Sequence, residues 1–308
     1  MNFQKPLDKT ENQVYNYCTK HIGQYFLPGK EDKMKKIISF LLAIVVCISC
    51  MFAFVSCKGN TIVVYTEAGF APFEYVKGGE IVGVDVDIMN MVGEKLGKKV
   101  VFENVAFDTI IDAVSAGKLT NVGAAGISIT PERKEKVDFS KVYYTAELYV
   151  IYKTSDAALY ESMTTDGITG IYWDSLAGKK IAVQNGTTAD LFLGDELGKG
   201  GTIYNTGAKK VGFSALSTAL ADIGVGNSNV LIIDELPAKQ LIAGNSQYTC
   251  APLYYQGAEG EADEAAVDQY AICVTKGQTE LLKAINEVLD ELGEKGIQKL
   301  VNKHLGIK

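Results

Sequence analysis

From Thr61 onward, short β-branched runs alternate with amphipathic helical stretches, and this alternation most constrains what the chain can fold into. A strand–helix–strand succession implies parallel sheets covered by helices, an α/β architecture. TIVVY (61–65) predicts a first strand, and VDVDIMNMVGEKLG (84–97) a helix with Val86, Met89, Val92 and Leu96 on one face. KVVFENV (99–105) predicts a second strand, FDTIIDAVSAG a helix ended by Gly117, and NVGAAGIS a small-residue strand running into a turn. A second set begins at LAGKKIAVQNG (176–186), again strand then helix, and continues through FSALSTALADIG to VLIIDELPAKQLI (230–242). The chain closes with a strand in YAICVTKG (270–277) and an amphipathic helix in LLKAINEVLDELGEKG (281–296). Two β/α sets with a terminal piece left over predict two lobes, the last segment returning to the first.

The segment before residue 60 reads as an address. Lys35 and Lys36 precede a run, 37–57, that carries no charge, the layout of a secretory signal. Its end, FVSC before Lys58, resembles a lipoprotein cleavage site, which makes Cys57 the expected lipid anchor. An uncleaved membrane helix is the alternative, since about 20 apolar residues can span a bilayer. Residues 1–33 do not fit an export signal and are expected to lie upstream of a start at Met34, outside the fold. A net charge of -7 offers no basic field for nucleic acid. The six cysteines show neither a metal-binding comb nor a dense disulfide framework, and Cys250 and Cys273 are left as a permitted pair. No metal or cofactor is expected.

Three segments carry chemistry. In ISITPERKEKVDFS (127–140), Thr130 can cap a helix that starts at Pro131 and holds Arg133 in its first turn. Free N–H groups there, together with a guanidinium, suit a carboxylate. A surface ion pair of Arg133 with Glu132 or Asp138 is the plainer reading. QNGTTADLFL (184–193) repeats the device, with Thr187 and Thr188 opening a helix, so two helix starts can face one anion. In IIDELPAK, Asp234 ends an apolar strand, where open α/β sheets gather ligands; it can bind an ammonium or cap the next helix. GFAPFEY (69–75) places Phe70 and Phe73 after the first strand, as walls for a small ligand or as packing at a lobe edge.

Taken in order, GFAPFEY, VGVDVDIMNMVGEKLG, SITPERKEKVDFS, LAGKKIAVQNGTTAD, VLIIDELPAK and YAICVTKGQTELLKAINEVLDEL resemble the solute-binding proteins of polar amino acid ABC importers. The resemblance spans Thr61 to His304. It implies a two-lobed, periplasmic-binding-protein-like type II fold with two crossover hinge strands: 61–147 plus 267–308 as lobe 1, and 148–266 as lobe 2. It further implies that a free amino acid, polar or cationic, has its α-carboxylate bound by Arg133 with Gly126, Ser128 and Thr188. Asp234 would take the α-ammonium, Phe70 the side chain, and Glu67 a cationic side-chain end. The implied partners are ABC importer membrane subunits and, through Cys57, the lipid bilayer; a monomer facing outside the cytoplasm is expected. Departures from the pattern fall at Thr120-Asn121 and at Asn229, positions that normally support a strand. An enzyme on the same fold would have to work through carboxylates such as Glu67 or Glu235, because the two histidines, His21 and His304, stand at the chain's ends. A sensor ectodomain is a third reading.

Overall fold

Strands buried on both faces need consecutive apolar side chains, and IVVY, IAV and VLII within the runs TIVVY, KIAVQ and VLIID meet that need. The computed structural model describes residues 60–307. The expectations for 1–33, the signal segment and Cys57 lie outside the described residues. Among the described residues no helix is long and apolar enough to cross a membrane.

Strand β1 (Thr61–Thr66) is followed by a three-stranded antiparallel ladder of β2 (Gly69–Phe70), β3 (Glu74–Lys77) and β4 (Glu80–Val82). Helix α1 (Val84–Leu96), β5 (Lys99–Asn104), α2 (Phe107–Ala116), β6 (Val122–Gly123), α3 (Pro131–Lys136) and β7 (Val137–Phe139) come next. The long strand β8 (Tyr144–Lys153) leads into β9 (Glu161–Met163), β10 (Thr169–Tyr172), β11 (Lys180–Gln184), α4 (Thr188–Leu197), β12 (Lys209–Phe213), α5 (Leu216–Val225), β13 (Val230–Asp234) and α6 (Glu235–Leu241). The chain ends in β14 (Tyr248–Tyr255), β15 (Glu264–Ala265), β16 (Val267–Tyr270), β17 (Cys273–Thr275) and α7 (Thr279–Leu305).

Two sheets organise these elements. The first has five strands in the order β5-β1-β6-β17-β7, so the end of the chain does return to its beginning. The second runs β12-β11-β13-β8-β14-β10-β9. Side chains alternate across each sheet: Ile62 and Val64 pack with α1 and α7, while Val63 and Tyr65 pack with Ile110 and Val114 of α2. In the second sheet Ile181, Val183, Val230 and Ile232 join Trp173 and Leu193, whereas Ala182, Leu231 and Ile233 face Leu216, Ala219 and Ile223 of α5. Each fully buried Ile, Val or Leu contributes roughly 1.5–3 kcal/mol over exposure, so both sheets are held from two sides.

Helix α1 covers the predicted residues within its bounds, and Val86, Met89 and Val92 are buried as expected. It starts at Gly83 (φ 146°), where a Cβ would sit 1.9 Å from the Phe73 carbonyl oxygen, so only glycine fits. Helix α2 ends at Gly117 as predicted. Two expectations are corrected, and the open question of a Cys250–Cys273 pair is answered. NVGAAGIS forms only the two-residue β6, because its small residues lie close under neighbouring side chains: a Cβ on Gly123 would meet Ile110 and Cys273. The closing helix is longer than predicted, 27 residues, and is broken at Gly293 (φ 56°, ψ -177°). Cys250 and Cys273 are both free thiols.

The Thr120-Asn121 departure keeps its supporting role by a different route. Thr120 Oγ1 lies 2.8 Å from both the Val63 and Val122 carbonyls, sharing its one proton between them, and accepts from Val122 N–H at 3.0 Å, and Asn121 Oδ1 accepts from Thr275 Oγ1 at 3.1 Å. In the second sheet Asn229 Oδ1 accepts Lys180 N–H at 2.8 Å, tying β13 to β11.

Two connections join the sheets, β7 to β8 and β16 to β17. β8 pairs with β16 over Tyr144–Glu147 and with β13 and β14 beyond that. Ser140 N–H donates to the Ile272 carbonyl at 2.9 Å, Ile272 N–H donates to Ser140 Oγ at 2.9 Å, and Tyr143 N–H donates to the Tyr270 carbonyl at 3.0 Å. The crossovers are thus bonded to each other as well as to the lobes.

Candidate functional site

Thr130 caps α3 as the sequence predicts, its Oγ1 accepting Arg133 N–H at 3.2 Å, with Pro131 at the first helical position. The cap turns Arg133 inward, where it is only 7% exposed. Its Nη1 donates to the Ser128 carbonyl at 2.6 Å and its Nη2 to the Gly186 carbonyl at 2.7 Å, while the guanidinium lies 5.6 Å over the Phe107 ring. A surface ion pair is thereby excluded as its main role. Two of five N–H donors hold the group in place, leaving the others for an anion. Burial lowers its pKa from the ordinary arginine value and the negative charge of Asp268 raises it.

Gly186 and the start of α4 come from the other lobe. Thr187 caps that helix by accepting Asp190 N–H at 3.3 Å, and Thr188 is buried at its first turn. Ser128 and Thr188 hydroxyl oxygens stand 3.5 Å apart, so the two predicted helix starts do face one place.

Gly126 (φ 53°) holds a left-handed turn over Phe70, whose Cε1 would be 2.8 Å from a Cβ there. Its N–H donates to Asp85 Oδ2 at 3.0 Å. What Gly126 has left for a ligand is its carbonyl, which suits an ammonium better than a carboxylate. Phe70 and Phe73 are both buried, packed with Tyr270 at centroid distances of 6.1 and 5.0 Å, so Phe70 is the edge of an aromatic cluster and not a free-standing wall.

Asp234 stands at the end of β13 and the start of α6, yet its side chain makes no capping bond; it is 6% exposed, and Oδ1 has no hydrogen-bond partner. Burial first, then the charge of Asp268, pushes its carboxyl well above the usual range. Glu67 also has a buried unpartnered oxygen, Oε2. Burial raises its pKa, offset by hydrogen bonding to Gln184 and to the Gly69 backbone. A buried carboxylate without a partner is costly, and a bound cation removes that cost.

Three acids escaped the sequence reading: Glu74, Asp85 and Asp268. Asp85 sits behind Gly126, accepting from Gly126 N–H and from Tyr143 Oη at 2.5 Å. Burial raises it from 3.8 to about 6 against these donors. Glu74 is fully buried, with neither oxygen receiving an N–H or O–H. Burial first, then the Asp85 charge, pushes its carboxyl well above the usual range. A single charged residue between Val84 and Val86 was the available signal for Asp85.

One caged guanidinium, two helix starts and several buried acids therefore meet where the two lobes approach each other. Residues 62–307 match the family of bacterial extracellular solute-binding proteins, family 3, and the chain belongs to it. It is similar to the "Arginine-binding extracellular protein ArtP" of Bacillus subtilis (strain 168), 28% identical over 273 residues, covering 85% of this chain and 96% of that protein. It is also similar to a "Probable histidine-binding protein" of Campylobacter jejuni, 28% identical, covering 75% and 79%. Among solved structures it resembles the substrate-binding protein AbpA of Streptococcus pneumoniae bound to L-arginine, with a TM-score of 0.67, 26% identity, and coverage of 81% and 96%.

Proposed function

We propose that this chain captures a cationic amino acid, with L-arginine the foremost candidate, between its two lobes outside the cytoplasm and delivers it to an ABC importer. The observation that carries the cationic preference is half-buried Glu67, whose Oε2 is buried without a hydrogen-bond partner. The α-carboxylate lies against Arg133 and the start of α4. The α-ammonium lies between Asp234 and the Gly126 carbonyl, and the guanidinium end reaches Glu67 and Gln184 beside Phe70. Relatives whose names specify arginine or histidine support the same reading.

Lobe 1 is taken as 61–147 plus 267–308 and lobe 2 as 148–266, with Cys57 as the lipid anchor of a single chain. A ligand touching both lobes binds the closed arrangement selectively. Calorimetric titration of the full chain with the twenty amino acids tests the reading. Arginine is expected to bind most tightly, and Arg133→Ala to weaken it at least tens of fold, since each charge-assisted bond contributes about 1.5–3 kcal/mol. Preference for an uncharged amino acid would overturn the cationic assignment.

A further inference from the structure

The proton inventory of two hydroxyls points to an additional residue. Ser128 Oγ donates to Asp268 Oδ2 at 2.6 Å, and the Thr188 hydroxyl donates to the same oxygen. Each hydroxyl owns one proton, so neither has one left for a ligand's carboxylate in this arrangement. Asp268 is 5% exposed, and its other oxygen accepts Gln269 N–H at 2.8 Å. It stands on β16, a crossover strand paired with β8, so one carboxylate oxygen gathers a hydroxyl from each lobe.

We propose that Asp268 is an affinity-determining residue: it latches the lobes by holding the hydroxyls of Ser128 and Thr188, and the ligand's carboxylate competes with it for them. This deepens the amino-acid reading above and rests on it for the identity of the competitor. On binding, the ligand's anion has Arg133 as its counter-ion, whereas Asp268 keeps the Gln269 N–H and gives up the hydroxyls. A second cross-lobe bond, Arg133 to the Gly186 carbonyl, closes the same seam. A latched population lowers apparent affinity in proportion to its weight, so removing the latch tightens binding.

The test uses the detergent-solubilised full chain, with Asp268→Ala and the near-isosteric Asp268→Asn as a guard against misfolding. Calorimetric titration with L-arginine is expected to show about tenfold tighter binding in the variants, the equivalent of one charge-assisted hydrogen bond released from competition. Hydrogen–deuterium exchange of the unliganded proteins is expected to show faster uptake confined to 126–133 and 184–193. Weaker or unchanged arginine binding in both variants would overturn the proposal, and so would unchanged exchange in those two segments. If the wild type binds no amino acid, the ligand assignment fails, and the exchange comparison still decides whether Asp268 latches the lobes.

Discussion

Replacing Asp85 with asparagine tests the buried acid pair behind Gly126, because the substitution keeps the shape and removes the charge. Asp85 has a folded-state pKa of about 6 against 3.8 unperturbed, so between those values the native protein holds a proton that the unfolded chain has released. Stability from this group is therefore fully present below pH 3.8 and is lost as pH rises through about 6. At about 1.36 kcal/mol per pH unit, the loss is ~3 kcal/mol. Asp85→Asn carries no such burden. Urea unfolding of wild type and variant at intervals from pH 3.5 to 8 gives the difference curve, from which titrating groups not coupled to Asp85 cancel. Near pH 3.5 a neutral aspartic acid is compared with an amide, and the two stabilities are expected to lie close together. By pH 7.5 the variant is expected to gain ~3 kcal/mol relative to wild type. A difference that stays flat with pH, or that moves toward wild type as pH rises, would refute the reasoning.

Because burial and the Asp85 charge hold the Glu74 carboxyl well above the usual range, Glu74→Gln is expected to gain stability relative to wild type as pH rises, read by urea denaturation. Gly126→Ala places a Cβ 2.8 Å from Phe70 in a left-handed turn and is expected to cost about 2–4 kcal/mol, read as a lowered thermal midpoint. Glu67→Gln is expected to weaken arginine about 10- to 100-fold in calorimetry while leaving glutamine little changed, if glutamine binds at all. Thr120→Val removes the hydroxyl that bridges β1 and β6 and is expected to cost about 1–2 kcal/mol in the same denaturation assay.

The sequence exposed what local periodicity controls. The apolar face of α1, the cap at Thr130, the Gly117 stop and the double-sided burial of β1, β11 and β13 are all consequences of residues a few positions apart. The long strand β8 was not legible, because YTAELYVIYK mixes polar and aromatic residues and serves two different partners along its length. Arg133, Thr188 and Ser128 could be singled out from helix starts and resemblance. Their meeting with Asp268 could not, since nothing in the sequence expresses a distance between positions 128, 188 and 268. The buried state of Glu74 was likewise hidden: an acid in a turn reads as exposed until β3 folds it beneath α1. Gly126 could be placed at the site from sequence, but which of its two backbone groups was free depended on Asp85.

The bonded crossovers have a mechanical consequence. Ser140 and Tyr143 on one connection are fastened to Ile272 and Tyr270 on the other. Like conductors bonded into a flat cable, the pair bends readily about one axis and resists shear and torsion. The relative movement of the lobes is thereby reduced to a single coordinate. Any protein that reads this molecule's state needs to sense one gap width, and the message that width carries cannot be scrambled by twisting.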